Sequence, residues 1–197
     1  EPNDPRRGHN GPLVLTRGPA TSPLFQAFFE SVQQAGYNLT NDVNGYRQEG
    51  FAPFDRNIFK GKRLSAARAY LHPVLDRKNL DVRTRAFTTR ILFDGETATG
   101  VEYEWKGAKR RVYADKVILC GGAINTPQLL PLSGVGDRDH LEKLGINVVK
   151  HLPGVGENLQ DHLEVYVQYN VTKPVSSQPY YKMWIRPFIG LQWLLTK

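Results

Sequence analysis

The chain has 197 residues, 40% of them hydrophobic, enough to bury a core, while no apolar run approaches the roughly 20 residues of a membrane-spanning helix. Its formal charge of +7 permits an anionic partner, yet Lys and Arg are scattered in short groups such as Arg6-Arg7 and Lys109-Arg110-Arg111, which argues against nucleic acid. Cys120 is the only cysteine, which excludes an internal disulfide and a cysteine-based metal cluster; no pair of the histidines has metal-ligand spacing.

The chain opens on Glu1 and a polar stretch to Gly11 with no apolar signal core, and so reads as an internal piece of a longer protein. Leu13 to Thr16 predict a short strand, and the Pro/Ser-rich stretch from Gly18 to Pro23 a turn. Leu24, Phe25, Phe28, Phe29, Val32 and Ala35 recur at helical spacing, and Gly36 stands where that helix stops. Turn signals follow at Asn44-Gly45 and Lys60-Gly61-Lys62, and a second helix is expected from about Ser65 to Leu71, ending before Pro73.

The pattern then changes to short β segments: Leu80 to Thr84, Thr88 to Phe93, Thr99 to Trp105 and Arg110 to Tyr113. With Gly95 and Gly107 as turns, they predict an antiparallel meander. Lys116 to Cys120 reads as a buried parallel strand stopping at Gly121-Gly122. Thr126-Pro127 opens a helix, Thr as N-cap and Pro first inside, continuing to Gly134. Leu163 to Gln168 alternates, with Leu163, Val165 and Val167 on one face and Glu164, Tyr166 and Gln168 on the other, as a half-buried strand does. Tyr180 to Leu195 is apolar around most of a helix circumference, which favours packing within the protein; its aromatic and basic residues leave a peripheral membrane role open.

A strand ending in Gly121-Gly122 and feeding a helix N-terminus presents backbone N–H groups to a phosphate or a cofactor edge, although two glycines alone more often mark an ordinary tight turn. The longer string from Gly122-Ala123 through Thr126-Pro127 and Leu129-Leu130 to Ser133-Gly134-Val135-Gly136 resembles the second signature of the glucose-methanol-choline oxidoreductases. The likeness extends upstream through Gly61-Lys62-Arg63-Leu64-Ser65, Ala69-Tyr70-Leu71-His72-Pro73 and Val117-Ile118-Leu119. Downstream it runs from Leu152-Pro153-Gly154 to Asp161-His162, and so covers nearly the whole chain. Gly36-Tyr37, Asn44-Gly45, Gln48-Glu49-Gly50 and Asp161-His162-Leu163-Glu164 are most similar to the choline-oxidising branch.

The resemblance implies an α/β architecture. Residues 58–150 would form part of an FAD-binding, Rossmann-like domain with a β-meander, and 1–57 with 151–197 part of a substrate-binding α+β domain. It implies FAD-dependent oxidation of a primary alcohol, choline to betaine aldehyde, with a membrane quinone as the electron acceptor. Another alcohol, a hydroxynitrile lyase on the same fold, and a non-catalytic truncated interaction module are the alternatives. A eukaryotic enzyme of this kind is expected in the mitochondrion at the inner membrane, a bacterial one in the cytoplasm or at the membrane.

On the flavin side the resemblance points to Thr88, where the family commonly has Val near the adenine, and to Cys120, Gly121 and Gly122. On the substrate side it points to Glu164 and Tyr166. A carboxylate beside an aromatic ring suits a quaternary ammonium, which offers no hydrogen bond and is held by charge and ring quadrupole. The alternation alone equally describes an exposed carboxylate on a sheet edge. The Gly-x-Gly-x-x-Gly turn for the flavin pyrophosphate does not occur, and the family's proton-acceptor histidine is expected beyond Lys197, so no catalytic residue is assigned here.

Overall fold

In the computed structural model, which describes Pro5 and residues 7–196, the opening stretch is fixed by charge more than by apolar burial. The Arg7 guanidinium donates to both carboxylate oxygens of Asp42 and, at 2.7 Å, to Asp55. Arg17 donates to Asp55 at 3.1 Å and to the Asn41 carbonyl. This pairing seats strand β1 (Thr16–Arg17) antiparallel to β2 (Asp55–Arg56), with Arg17 opposite Asp55. The strand expected over Leu13 to Thr16 is displaced toward its charged end, leaving Leu13 and Leu15 exposed.

Helix α1 (Pro23–Gln34) starts on Ser22, whose hydroxyl accepts from the Leu24 N–H, with Pro23 as first helical residue. It ends in a Schellman motif: Gly36, at φ +84°, and Tyr37 donate to the carbonyls of Gln33 and Val32. Phe28 and Tyr37 meet Phe51 edge-on, with ring centroids 5.7 and 5.9 Å away. A hairpin joins β3 (Ile58–Phe59) to β4 (Lys62–Arg63) through Lys60-Gly61, both at positive φ, the type I′ geometry. The helix expected from Ser65 is a single π-helical turn, Ala67–Leu71, followed by a 3₁₀ turn, His72–Val74. Pro73 offers no N–H, so regular α-helical bonding stops before it is established.

Residues up to Asp81 form one compact unit with the stretch from Val167 onward, and Val82–Tyr166 forms the other. The second unit is built on the meander, with β5 (Phe87–Asp94), β6 (Thr97–Trp105) and β7 (Ala108–Tyr113) antiparallel in that order. Leu80 to Thr84 is not a strand: Thr84-Arg85 turn, with Arg85 at φ +56°, and lead into β5. At Gly100, β6 passes so close to β7 that an added methyl would strike the Val112 carbonyl.

Helix α2 (Gly122–Leu132) packs against β5 and hands over to Ser133. The Ser133 hydroxyl, buried, donates to the Leu129 carbonyl at 2.6 Å and accepts from the Ile91 N–H at 2.9 Å, satisfying an otherwise unpaired donor on the sheet's edge strand. Next come β8 (Val135–Gly136), α3 (Arg138–Lys143) and β9 (Lys150–His151), a small parallel strand–helix–strand turn in which Asp137 caps α3 by accepting from His140. Ile91, Tyr103, Val135 and Leu141 are the buried apolar residues of this unit.

Three expected elements differ here. Helix α2 begins at Gly122 rather than Thr126, because the Thr126 hydroxyl reaches back across the first turn to accept from Gly121 at 3.1 Å. Lys116 to Cys120 is extended, with Val117 and Leu119 half-buried and Ile118 outward, but no described strand pairs with it. Leu163 to Gln168 is also unpaired, and all six residues are exposed: period-two alternation sets the faces, whereas a ladder needs a neighbour, and the described residues supply none.

In the first unit's closing stretch, Lys182 is extended and separates a 3₁₀ turn, Gln178–Tyr181, from α4 (Arg186–Thr196), so the last helix is shorter than expected. The Trp193 indole donates to the Gly61 carbonyl at 2.8 Å, while Phe188, Leu191 and Leu195 stay exposed. Among the described residues no helix is long and apolar enough to cross a membrane.

Candidate functional site

Three of the four residues singled out on the cofactor side line one cavity. Thr88 of β5, with Cys120 and Gly121, faces about 770 Å³ of space bounded also by Val101 of β6, Val112 of β7 and Thr126 of α2. That volume suits a small-molecule site. A methyl at position 121 would lie 3.1 Å from both the Thr126 nitrogen and its hydroxyl oxygen, tighter than ordinary contact, so the turn closes best over glycine. Gly122 is outside this wall; at φ +79° it turns the chain into α2, a conformation that costs a non-glycine residue about 1 kcal/mol.

Helix α2 starts without a side-chain cap and without an acidic residue in its first turn, so its N–H groups and positive end are open to an acceptor. Apolar walls from Val101, Val112 and Leu129, with backbone at the rim, fit a flat heteroaromatic ring that carries donor and acceptor edges. The Gly121 N–H is not available to it, being taken by Thr126.

On the substrate side, Glu164 and Tyr166 do not line that cavity; both are exposed. The nearby Glu164 carboxylate raises the Tyr166 phenol above its ordinary 10. Alternation, even without a ladder, puts these two side chains on one side of the backbone. Asp161 and His162 form no catalytic pair, since the Asp161 carboxylate accepts the His162 backbone N–H at 2.8 Å.

A larger cavity of about 1180 Å³ lies in the first unit, with Arg7, Arg17, Asp42 and Asp55 in its wall. Both carboxylates are committed to the two arginines, and Arg7 holds Asp42 down at about 2, so neither carboxylate is a poised acid or base; the smaller cavity, which gathers three of the residues singled out, is the better candidate. Sequence reading missed this network because Arg7 is 35 residues from Asp42 and 48 from Asp55. Ser133 was missed for a different reason: the signature marks it, but no local pattern says that it receives the Ile91 N–H.

The family model described as GMC oxidoreductase matches residues 9–164. The chain belongs to the GMC oxidoreductase family. Over 98% of its length it is 59% identical to an oxygen-dependent choline dehydrogenase of Staphylococcus xylosus, and over its whole length 57% identical to one of Staphylococcus aureus (strain JH9). It spans 35% and 34% of those curated relatives. Among solved structures, an FAD-dependent oxidoreductase from Chaetomium thermophilum matches 79% of the chain with a TM-score of 0.74 and 32% identity, the chain covering 28% of it. Pyridoxine 4-oxidase from Mesorbium loti matches 75% with a TM-score of 0.70, also at 32% identity, the chain covering 29% of it. The chain has the expected mixed α/β fold, consistent with an FAD-binding domain.

Proposed function

We propose that the chain forms part of an FAD-dependent enzyme that oxidises choline to betaine aldehyde. The observation that carries this reading is the 59% identity to an oxygen-dependent choline dehydrogenase across 98% of the chain. Residues 58–150 serve the flavin side, and 1–57 with 151–197 the substrate side. Thr88, Cys120 and Gly121 would hold the adenosine half of FAD in the 770 Å³ cavity, and Gly122 sets the direction of α2 behind it. Val101 and Val112 exclude water from the ring. When bound, the flavin supplies the hydride acceptor that no side chain can provide.

Glu164 supplies the negative charge for the trimethylammonium group, and Tyr166 holds that carboxylate while offering a ring face. With +7 overall, long-range attraction of a cation is absent, so a local carboxylate has to do the holding. None of the histidines in the chain is assigned as proton acceptor. The relatives' names favour dioxygen as electron acceptor over the quinone that the family resemblance implied, and their bacterial origin favours the bacterial alternative for location.

The test compares choline with its uncharged isostere 3,3-dimethylbutan-1-ol. In the enzyme carrying this chain, Glu164→Gln is expected to raise the KM for choline by about tenfold or more and to leave the isostere nearly unchanged, since a close pair of opposite charges couples by roughly 1.5 kcal/mol or more. Equal effects on both alcohols would remove Glu164 from the headgroup site. Flavin bleaching by choline under nitrogen, with oxygen uptake in air, separates this enzyme from one acting on another alcohol.

A further inference from the structure

Three cations converge on one indole at the tip of the β6–β7 hairpin. Lys106 Nζ lies 4.3 Å from the centre of the Trp105 ring, the Arg110 guanidinium 5.2 Å and the Arg83 guanidinium 6.0 Å. Lys106 sits at φ +50° in the type I′ turn, where Asn, Asp or Gly is usual. The Phe59-Lys60-Gly61 hairpin repeats the local motif with a single cation 5.4 Å from its ring. A local contact accounts for Lys106, cross-strand register beside Tyr103 for Arg110, and a hydrogen bond to the Tyr103 hydroxyl for Arg83.

The pleat separates the hairpin's charges. Tyr103, Trp105 and Arg110 share one face by register, while Glu102 and Glu104 share the other with Arg111 and Lys109. Arg111 holds Glu102 at 3.1 Å. Among the described residues no carboxylate lies within ion-pair distance of Lys106 or Arg110. The like charges of Lys106 and Arg110 at one ring repel, and an anion with several oxygens placed between them removes that repulsion.

We propose that this face of the hairpin tip binds phosphate oxyanions. The planar fork of Arg110 takes two oxygens and the Lys106 ammonium a third. Cations already occupy the ring, so the surface is not a stacking platform for a nucleobase. Phosphate reaches such an open surface as a free anion or on a lipid headgroup, and the same two side chains meet both. None of these residues belongs to the flavin cavity wall, and the proposal is independent of the oxidoreductase reading.

The test uses the full chain and the double variant Lys106→Asn/Arg110→Gln, in which Asn suits the turn and preserves the hairpin. One arm titrates inorganic pyrophosphate calorimetrically; the other sediments the protein with vesicles of phosphatidylcholine and phosphatidylglycerol in equal parts. Saturable binding is expected in at least one arm, weakened about tenfold by the double variant and reduced by added salt, with the melting temperature unchanged. Binding in the pyrophosphate arm alone identifies a free anion, and in the vesicle arm alone a lipid headgroup. Silence in both arms, or binding that the double variant leaves intact, overturns the proposal. So does an oligonucleotide held more tightly than either ligand and released by Trp105→Leu but not by the double variant.

Discussion

Ser133 links α2 to the edge of the meander through one hydroxyl that both donates and accepts. Ser133→Ala would strand the Ile91 N–H in a buried place, and a loss of about 1–3 kcal/mol is expected in denaturant titration. Asp42 gives a pH signature. Its folded value of about 2 lies below the ordinary 3.8, so its contribution to stability is complete above the ordinary value and fades as pH falls through 2. Arg7→Gln should remove that window, flattening the dependence of the urea midpoint on pH in acid. At Tyr166 the shift is upward, caused by the nearby Glu164 carboxylate. Glu164→Gln should therefore move one phenol's ultraviolet titration back toward 10, and an unchanged curve would mean the two side chains do not meet in solution.

Elements defined by their own ends and period were legible in the sequence. Gly36 ends α1, and Gly95 and Gly107 divide the meander, because caps and turns act within a few residues. Elements defined by a distant neighbour were not. Lys116 to Cys120 is a continuous apolar run and Leu163 to Gln168 alternates, each as a strand does, yet hydrogen-bonded pairing depends on another segment. The start of α2 was missed because Thr126 bonds backward to Gly121, an exchange between a cap and a turn that composition does not distinguish. The family resemblance pointed to Thr88, Cys120 and Gly121, which line one cavity, while two-residue spacing is what brings the Glu164 carboxylate near the Tyr166 phenol. Gly134 shows why that signature demands glycine: at φ +90°, a Cβ would strike the Asn147 carbonyl and come within 2.9 Å of Val149. Gly134→Ala is expected to cost more than about 2 kcal/mol, read as a lowered melting temperature.

For the molecule as a whole, apolar surface outruns the core. Ile118 is 83% exposed, Leu163 95% and Leu195 77%, whereas Val32, Ala69, Ile91, Tyr103, Val135 and Leu141 are the buried apolar residues among those described. Patches of that kind associate, so the 197-residue chain on its own should sediment as concentration-dependent oligomers; a single monomeric boundary at all concentrations would contradict this. The division into units has a consequence in time. Val82–Tyr166 is continuous in sequence, whereas the other unit needs its closing helix to bring Trp193 to Gly61, 132 positions earlier. On the ribosome, the meander and its helix are complete before the closing segment of the other unit, from Val167 onward, is made, so synthesis imposes an order of assembly in which the inserted unit matures first and the charge-pinned unit closes after it.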